Sequence, residues 1–93
     1  MRILLLEDHR AVSDIVAAQL RTHGFEVDAV RRGDEALAAS ANARYDAIIL
    51  DLGLPDMDGM DVLARLRRER GSDLPAIILS ARDRIDDRIG GLD

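Results

Sequence analysis

The 93-residue sequence predicts an α/β fold: a parallel sheet, doubly wound, with helices on both faces. Three observations predict it. Wholly apolar runs occupy residues 3–6, 47–50 and 76–79, as strands buried on both faces require. Stretches with helical apolar spacing lie between them. The two kinds of stretch alternate with connections of a few residues, which argues a parallel sheet closed by right-handed crossovers.

The elements follow in order. Residues 3–6 form a first strand that runs into Glu7 and Asp8. Val12, Ile15, Val16, Gln19 and Leu20 mark a helix over 11–22, stopped by Gly24. Residues 26–30 alternate with period two, as a strand nearer a sheet edge does. The Ala-rich stretch 34–43 makes a second helix, with Ala36, Leu37 and Ser40 on one side. Residues 47–50 make the third strand and end at Asp51. Met60, Leu63, Ala64 and Arg67 define a third helix that ends before Gly71. Residues 76–79 are a fourth strand, and a fourth helix begins near Asp83 with Ile85, Ile89 and Leu92. No repeat, linker or low-complexity segment divides the chain, so residues 1–93 are one domain.

Composition removes several chemistries. All thirteen positive charges are Arg, so neither a Walker-type phosphate loop nor a Schiff-base lysine is possible. Without Cys there is no thiol catalysis, disulfide or thiolate zinc site. Two His cannot make a three-His metal centre. A net charge of −5 and two aromatics, Phe25 and Tyr45, make a poor binder of phosphate backbones or stacked bases. The run 3–6 is too short for a signal peptide or a membrane span. The expected location is the cytoplasm.

Open parallel sheets gather functional groups beyond the carboxyl ends of their strands. Two of the three most apolar strands end in acid, at Glu7-Asp8 and at Asp51. If those strands are neighbours in register, three carboxylates converge. Such crowding raises pKa values or demands a counterion. A hard divalent cation with oxygen ligands answers it, and Mg²⁺ suits a few carboxylates supplemented by water and phosphate oxygens. Taken singly, each acid is an ordinary loop residue or helix cap.

These residues carry a family resemblance. Met-Arg-Ile-Leu-Leu-Leu-Glu-Asp, then Tyr-Asp-Ala-Ile-Ile-Leu-Asp-Leu-Gly-Leu-Pro-Asp-Met-Asp-Gly, then Ile-Ile-Leu-Ser-Ala-Arg resembles a response-regulator receiver domain over the whole chain. The wording is similar to the branch that carries a C-terminal winged-helix DNA-binding domain and regulates transcription. The resemblance implies a flavodoxin-like doubly wound sheet. It implies that Asp51 accepts a phosphoryl group from a sensor histidine kinase, and that Glu7, Asp8, Asp51 and the main-chain carbonyl of Gly53 hold Mg²⁺. Ser80 matches the hydroxyl that senses the phosphoryl group, and Pro55 and Gly59 match the loop after the acceptor. The first helix matches the kinase-docking side. Arg88, Ile89 and Leu92 match a remnant of the family's dimer surface.

The sequence departs from the pattern in one respect. The family's lysine at the end of a fifth strand has no counterpart among these 93 residues. The resemblance therefore implies a receiver lacking its fifth strand and fifth helix, with impaired chemistry at Asp51. It also implies an uncovered edge at 76–79, and hence self-association or domain swapping. His9 stands where many relatives carry an acid, and His23 reads as a helix C-terminal residue. Arg65, Arg67, Arg68 and Arg70 read as a solvated helix face, with Asp61 placed to pair with Arg65 or Arg68. Two other functions compete. One is an interaction module independent of phosphorylation. The other is a Mg²⁺-dependent phosphatase of the haloacid dehalogenase type, faintly suggested by Asp56-Met57-Asp58-Gly59.

Overall fold

Strands and helices alternate along the computed structural model, which describes residues 1–70 and 73–79. The order is β1 (Arg2–Leu6), α1 (Arg10–Thr22), β2 (Glu26–Val30), α2 (Gly33–Asn42), β3 (Ala47–Leu50), α3 (Gly59–Arg70) and β4 (Ala76–Ile78). The strands form one parallel sheet in the order β2-β1-β3-β4. Chain order reverses between β1 and β3, so the crevice beyond their carboxyl ends is where such a sheet places a site. Ser80 and the expected fourth helix, with Arg88, Ile89 and Leu92, lie outside the described residues.

The wholly apolar strands are explained by two cores. Leu4, Leu6, Ile48 and Leu50 face α2 and α3, packing with Ala36, Val62, Leu63 and Leu66. Ile3, Leu5, Val27 and Ile49 point the other way, packing with Ala17, Val16 and Leu20 of α1. Successive residues of a strand face opposite sides, so strands covered twice must be apolar throughout.

Three expectations about buried faces need correction. On α1 the chain buries Ser13 and Ala17, while Val12 is 39% and Ile15 65% exposed. Small side chains at 13 and 17 let the helix backbone approach the sheet, and Val16 and Leu20 pack beside them. On α3 the buried face is Val62, Leu63 and Leu66, with Met60 46% exposed and Ala64 exposed too. The third concerns β4, which is not buried on both faces: Ile77 is 58% exposed. Among the described residues β4 pairs only with β3, which makes it an edge.

The helix ends behave as expected, and one cation does not. Gly24 follows α1 at a φ of +89°, a conformation glycine adopts without strain. The amides of His23, Gly24 and Phe25 close onto carbonyls of the last turn. Arg67, expected at the solvated face, instead donates from Nε and Nη2 to the Leu74 carbonyl at 3.1 and 2.9 Å. It ties the end of α3 to the approach to β4. Among the described residues no ion pair joins Asp61 to Arg65 or Arg68.

Candidate functional site

Register builds the site. Leu6 of β1 lies opposite Leu50 of β3, so the next residues, Glu7 and Asp51, emerge side by side at the carboxyl edge. The ladder continues one step past each strand. The Glu7 amide donates to the Val30 carbonyl at 3.1 Å, and the Asp51 amide donates to the Leu6 carbonyl at 2.8 Å. Both side chains are buried, at 3% and 1% exposure. Asp8 is half-buried and His9 exposed as the chain turns into α1. One ligand atom from each of Glu7, Asp8, His9 and Asp51 lies within 4.8 Å of the others.

The electrostatics of this cluster are unfavourable without a cation. Burial first, and then the hydrogen bond and negative charge of Asp51, push the Glu7 carboxyl up to about 8. A hydrogen bond with Asp8 adds to the rise, and the His9 amide opposes it. The donor set is three carboxylates, two buried and Asp8 half-buried, beside the exposed His9, and so oxygen-rich a set fits a hard divalent cation far better than a soft one. The His9 ring nitrogen Nδ1 lies 3.0 Å from Asp8 Oδ1. Composition alone gave no reason to place His9 in the cluster; its position directly after two acids at a strand end was the available sign.

The loop after Asp51 is tied at several points. The Gly53 amide donates to Asp51 Oδ1 at 3.0 Å. Gly53 pairs in an antiparallel bridge with Asp58. Asp58 starts α3, accepting from the Met60 amide at 2.8 Å. Gly59 must be glycine for space, because a Cβ there would lie 2.7 Å from the Asp51 carbonyl oxygen and 3.0 Å from Leu52 Cα. Asp56 reaches across to α2, accepting from the amides of Gly33 at 2.8 Å and Asp34 at 3.0 Å. Asp56 and Asp58 are thus helix-capping acids, an arrangement that gives the phosphatase-like reading no support. Capping by Asp56 spans more than twenty residues, so local sequence patterns could not reveal it.

Glu7, Asp8 and Asp51 therefore come together, and Gly53 lies on the adjoining loop. Ser80 is outside the described residues. A cavity of about 460 Å³ opens elsewhere, among Ser40, Arg44, Tyr45, Asp46 and Leu74, at the opposite edge of the sheet. It contains no member of the acidic cluster. No helix among the described residues is long and apolar enough to cross a membrane.

Comparison with known proteins bears on this arrangement. A family model described as the response regulator receiver domain matches residues 3–93. The transcriptional regulatory protein QseB of Escherichia coli O157:H7 is 47% identical over 92 residues, which are 99% of this chain and 42% of QseB. The chain spans about two-fifths of the length of the curated relatives it matches. Among solved structures, the receiver domain of sensor histidine kinase PA1611 from Pseudomonas aeruginosa PAO1 aligns with a TM-score of 0.82 and 36% identity. The alignment covers 95% of this chain and 73% of that one, which has magnesium coordinated in its active-site cleft. The complex of histidine kinase ThkA with response regulator protein TrrA aligns with a TM-score of 0.78 and 31% identity, over 86% of this chain and 68% of that one.

Proposed function

The chain belongs to the response-regulator receiver family, and we propose that Asp51 is its phosphoacceptor. The observation that carries this reading is the register that sets Asp51 beside Glu7, with Asp8 within reach. A carboxylate oxygen of Asp51 attacks the phosphorus of a phosphohistidine on a sensor kinase. An O–P bond forms, the P–N bond breaks, and the histidine nitrogen keeps the electron pair.

Glu7, Asp8, Asp51 and the Gly53 main-chain carbonyl would hold Mg²⁺, whose charge, when bound, offsets that on the transferring oxygens. Glu7 and Asp51 are fixed by the ladder bonds that continue past β1 and β3, so the ligand set needs little rearrangement. The acceptor's loop is held by the Gly53 amide. The product adds about −1.5 to −2 charge and three strong acceptors, and the hydroxyl of Ser80 is the group we assign to sensing them.

This is a switch rather than an enzyme with turnover. Control of transcription is the proposed output, as the name of the transcriptional regulatory protein QseB suggests, and the cytoplasm is the proposed location. A sensor histidine kinase is the proposed partner, docking on the α1 side, a pairing that the TrrA–ThkA complex supports. Arg88, Ile89 and Leu92 are proposed for a dimer surface.

Incubation with Mg²⁺ and a small acyl phosphate tests the reading by intact mass. One phosphoryl adduct, absent from Asp51→Asn, is the expected result. Turnover of phosphate esters would instead favour a phosphatase, and silence in both assays an interaction module independent of phosphorylation.

A further inference from the structure

The acceptor loop and α2 share a residue that the proposed chemistry does not use directly. Arg32, at the N-cap of α2, contributes no side-chain capping bond. The cap comes instead from Asp56, whose Oδ1 accepts from the Gly33 amide at 2.8 Å and whose Oδ2 accepts from the Asp34 amide at 3.0 Å. Arg32 Nη2 stands 3.9 Å from the same Oδ2, and Asp34 holds Arg32 Nε at 3.1 Å. These two amides and the Arg32 charge keep the Asp56 carboxyl below the usual carboxylate range. The neighbouring Met57 seals the same junction: a Cβ on Gly33 would lie 2.5 Å from Met57 Cγ and 2.9 Å from Val62 Cγ2.

The position of Asp56 within the loop gives this cap a second consequence. Gly53 and Asp58 face each other across the antiparallel bridge, and Asp56 lies on the turn between them. The ends of the loop are tied to Asp51 and to α3. Its middle is tied to α2 through Asp56 and Met57. We propose that Asp56 is a positioning residue: by anchoring the turn to the first amides of α2, it fixes the loop that carries Gly53 beside Asp51 and couples cation binding there to the start of α2. This rests on the cation site proposed above.

Coupling of this kind is reciprocal. If Asp56 orders the loop for the cation, the cation must in turn order the Asp56–α2 junction. The experiment uses Mg²⁺ alone as probe, with affinity read by titration and amide hydrogen exchange read by NMR at Gly33 and Asp34. Asp56→Ala is expected to weaken Mg²⁺ binding about tenfold, the usual scale for residues that orient ligands from behind. Asp56→Asn, whose single carbonyl oxygen can still accept from one of the two amides, is expected to recover part of that loss. In the native protein, saturating Mg²⁺ is expected to slow exchange at Gly33 and Asp34, and in Asp56→Ala that slowing should vanish. Native affinity in Asp56→Ala, or exchange at Gly33 and Asp34 indifferent to Mg²⁺ in the native protein, overturns the proposal while leaving the cation site intact. A native protein that takes up no Mg²⁺ overturns the site itself and this coupling with it. Should Asp56→Ala not fold, the exchange measurement on the native chain decides alone.

Discussion

Glu7 is buried between two other carboxylates, and its titration has consequences for stability. Its carboxyl titrates near 8 when folded, against an ordinary value of 4.5. The folded chain therefore binds this proton more tightly than the unfolded chain does. In the absence of metal, the resulting stabilisation is complete below about pH 4.5 and is lost as pH rises toward 8, at up to about 1.4 kcal/mol per pH unit for one proton. Urea titrations with a chelator at pH 5 and pH 8 should show the decline, and Glu7→Gln should flatten it. Mg²⁺ at pH 8 should restore the native chain, because ionised carboxylates are its ligands. A native protein equally stable at both pH values without metal would contradict this reading of Glu7. Gly59 supports the site in a different way. Gly59→Ala would press a methyl against the Asp51 carbonyl and Leu52 Cα, backbone atoms that cannot swing aside as a side chain can. A loss of about 1–3 kcal/mol is expected, together with a weakened phosphoryl adduct by mass; wild-type stability would show that the backbone there can give way.

At the scale of elements, the strands were legible and the helix faces were only partly so. Residues 3–6 and 47–50 are apolar at every position because α1 covers one side and α2 and α3 the other. A contiguous run reports that directly. The buried face of α1 is different, since hydropathy points to Val12 and Ile15 while close approach selects Ser13 and Ala17. Small residues carry little hydropathic weight even when their lack of bulk decides which way a helix turns. The two alternatives give opposite predictions for stability. Ile15→Ser should change it by no more than about 0.5 kcal/mol, as exposed positions do. Ala17→Leu should cost about 1–3 kcal/mol by overpacking. Denaturant unfolding of both variants checks this, and the reverse order would restore the stripe through Ile15. The three acids were legible because each ends an apolar strand. The roles of Asp56 and Arg67 were not, because their partners at Gly33, Asp34 and Leu74 lie beyond any local pattern.

At the scale of the whole sheet, the order β2-β1-β3-β4 places the acids at the crossover point and, among the described residues, leaves β4 at an edge. Ile77 and Ile78 present apolar surface there, and a strand edge offers unpaired amides and carbonyls to another chain. The 93-residue chain by itself is expected to self-associate with rising concentration in light scattering, and Ile77→Lys to suppress it. A monomer over a wide concentration range would remove that expectation. Above all, the crossover point is expected to carry phosphoryl chemistry. The most direct measurement is to expose the chain to an acyl phosphate with and without Mg²⁺, trap the adduct by borohydride reduction, and map the altered residue by fragment mass. One altered residue is expected, Asp51, dependent on Mg²⁺ and diminished in Asp8→Asn. Modification at another residue, or at Asp51 to the same extent without metal, would contradict it.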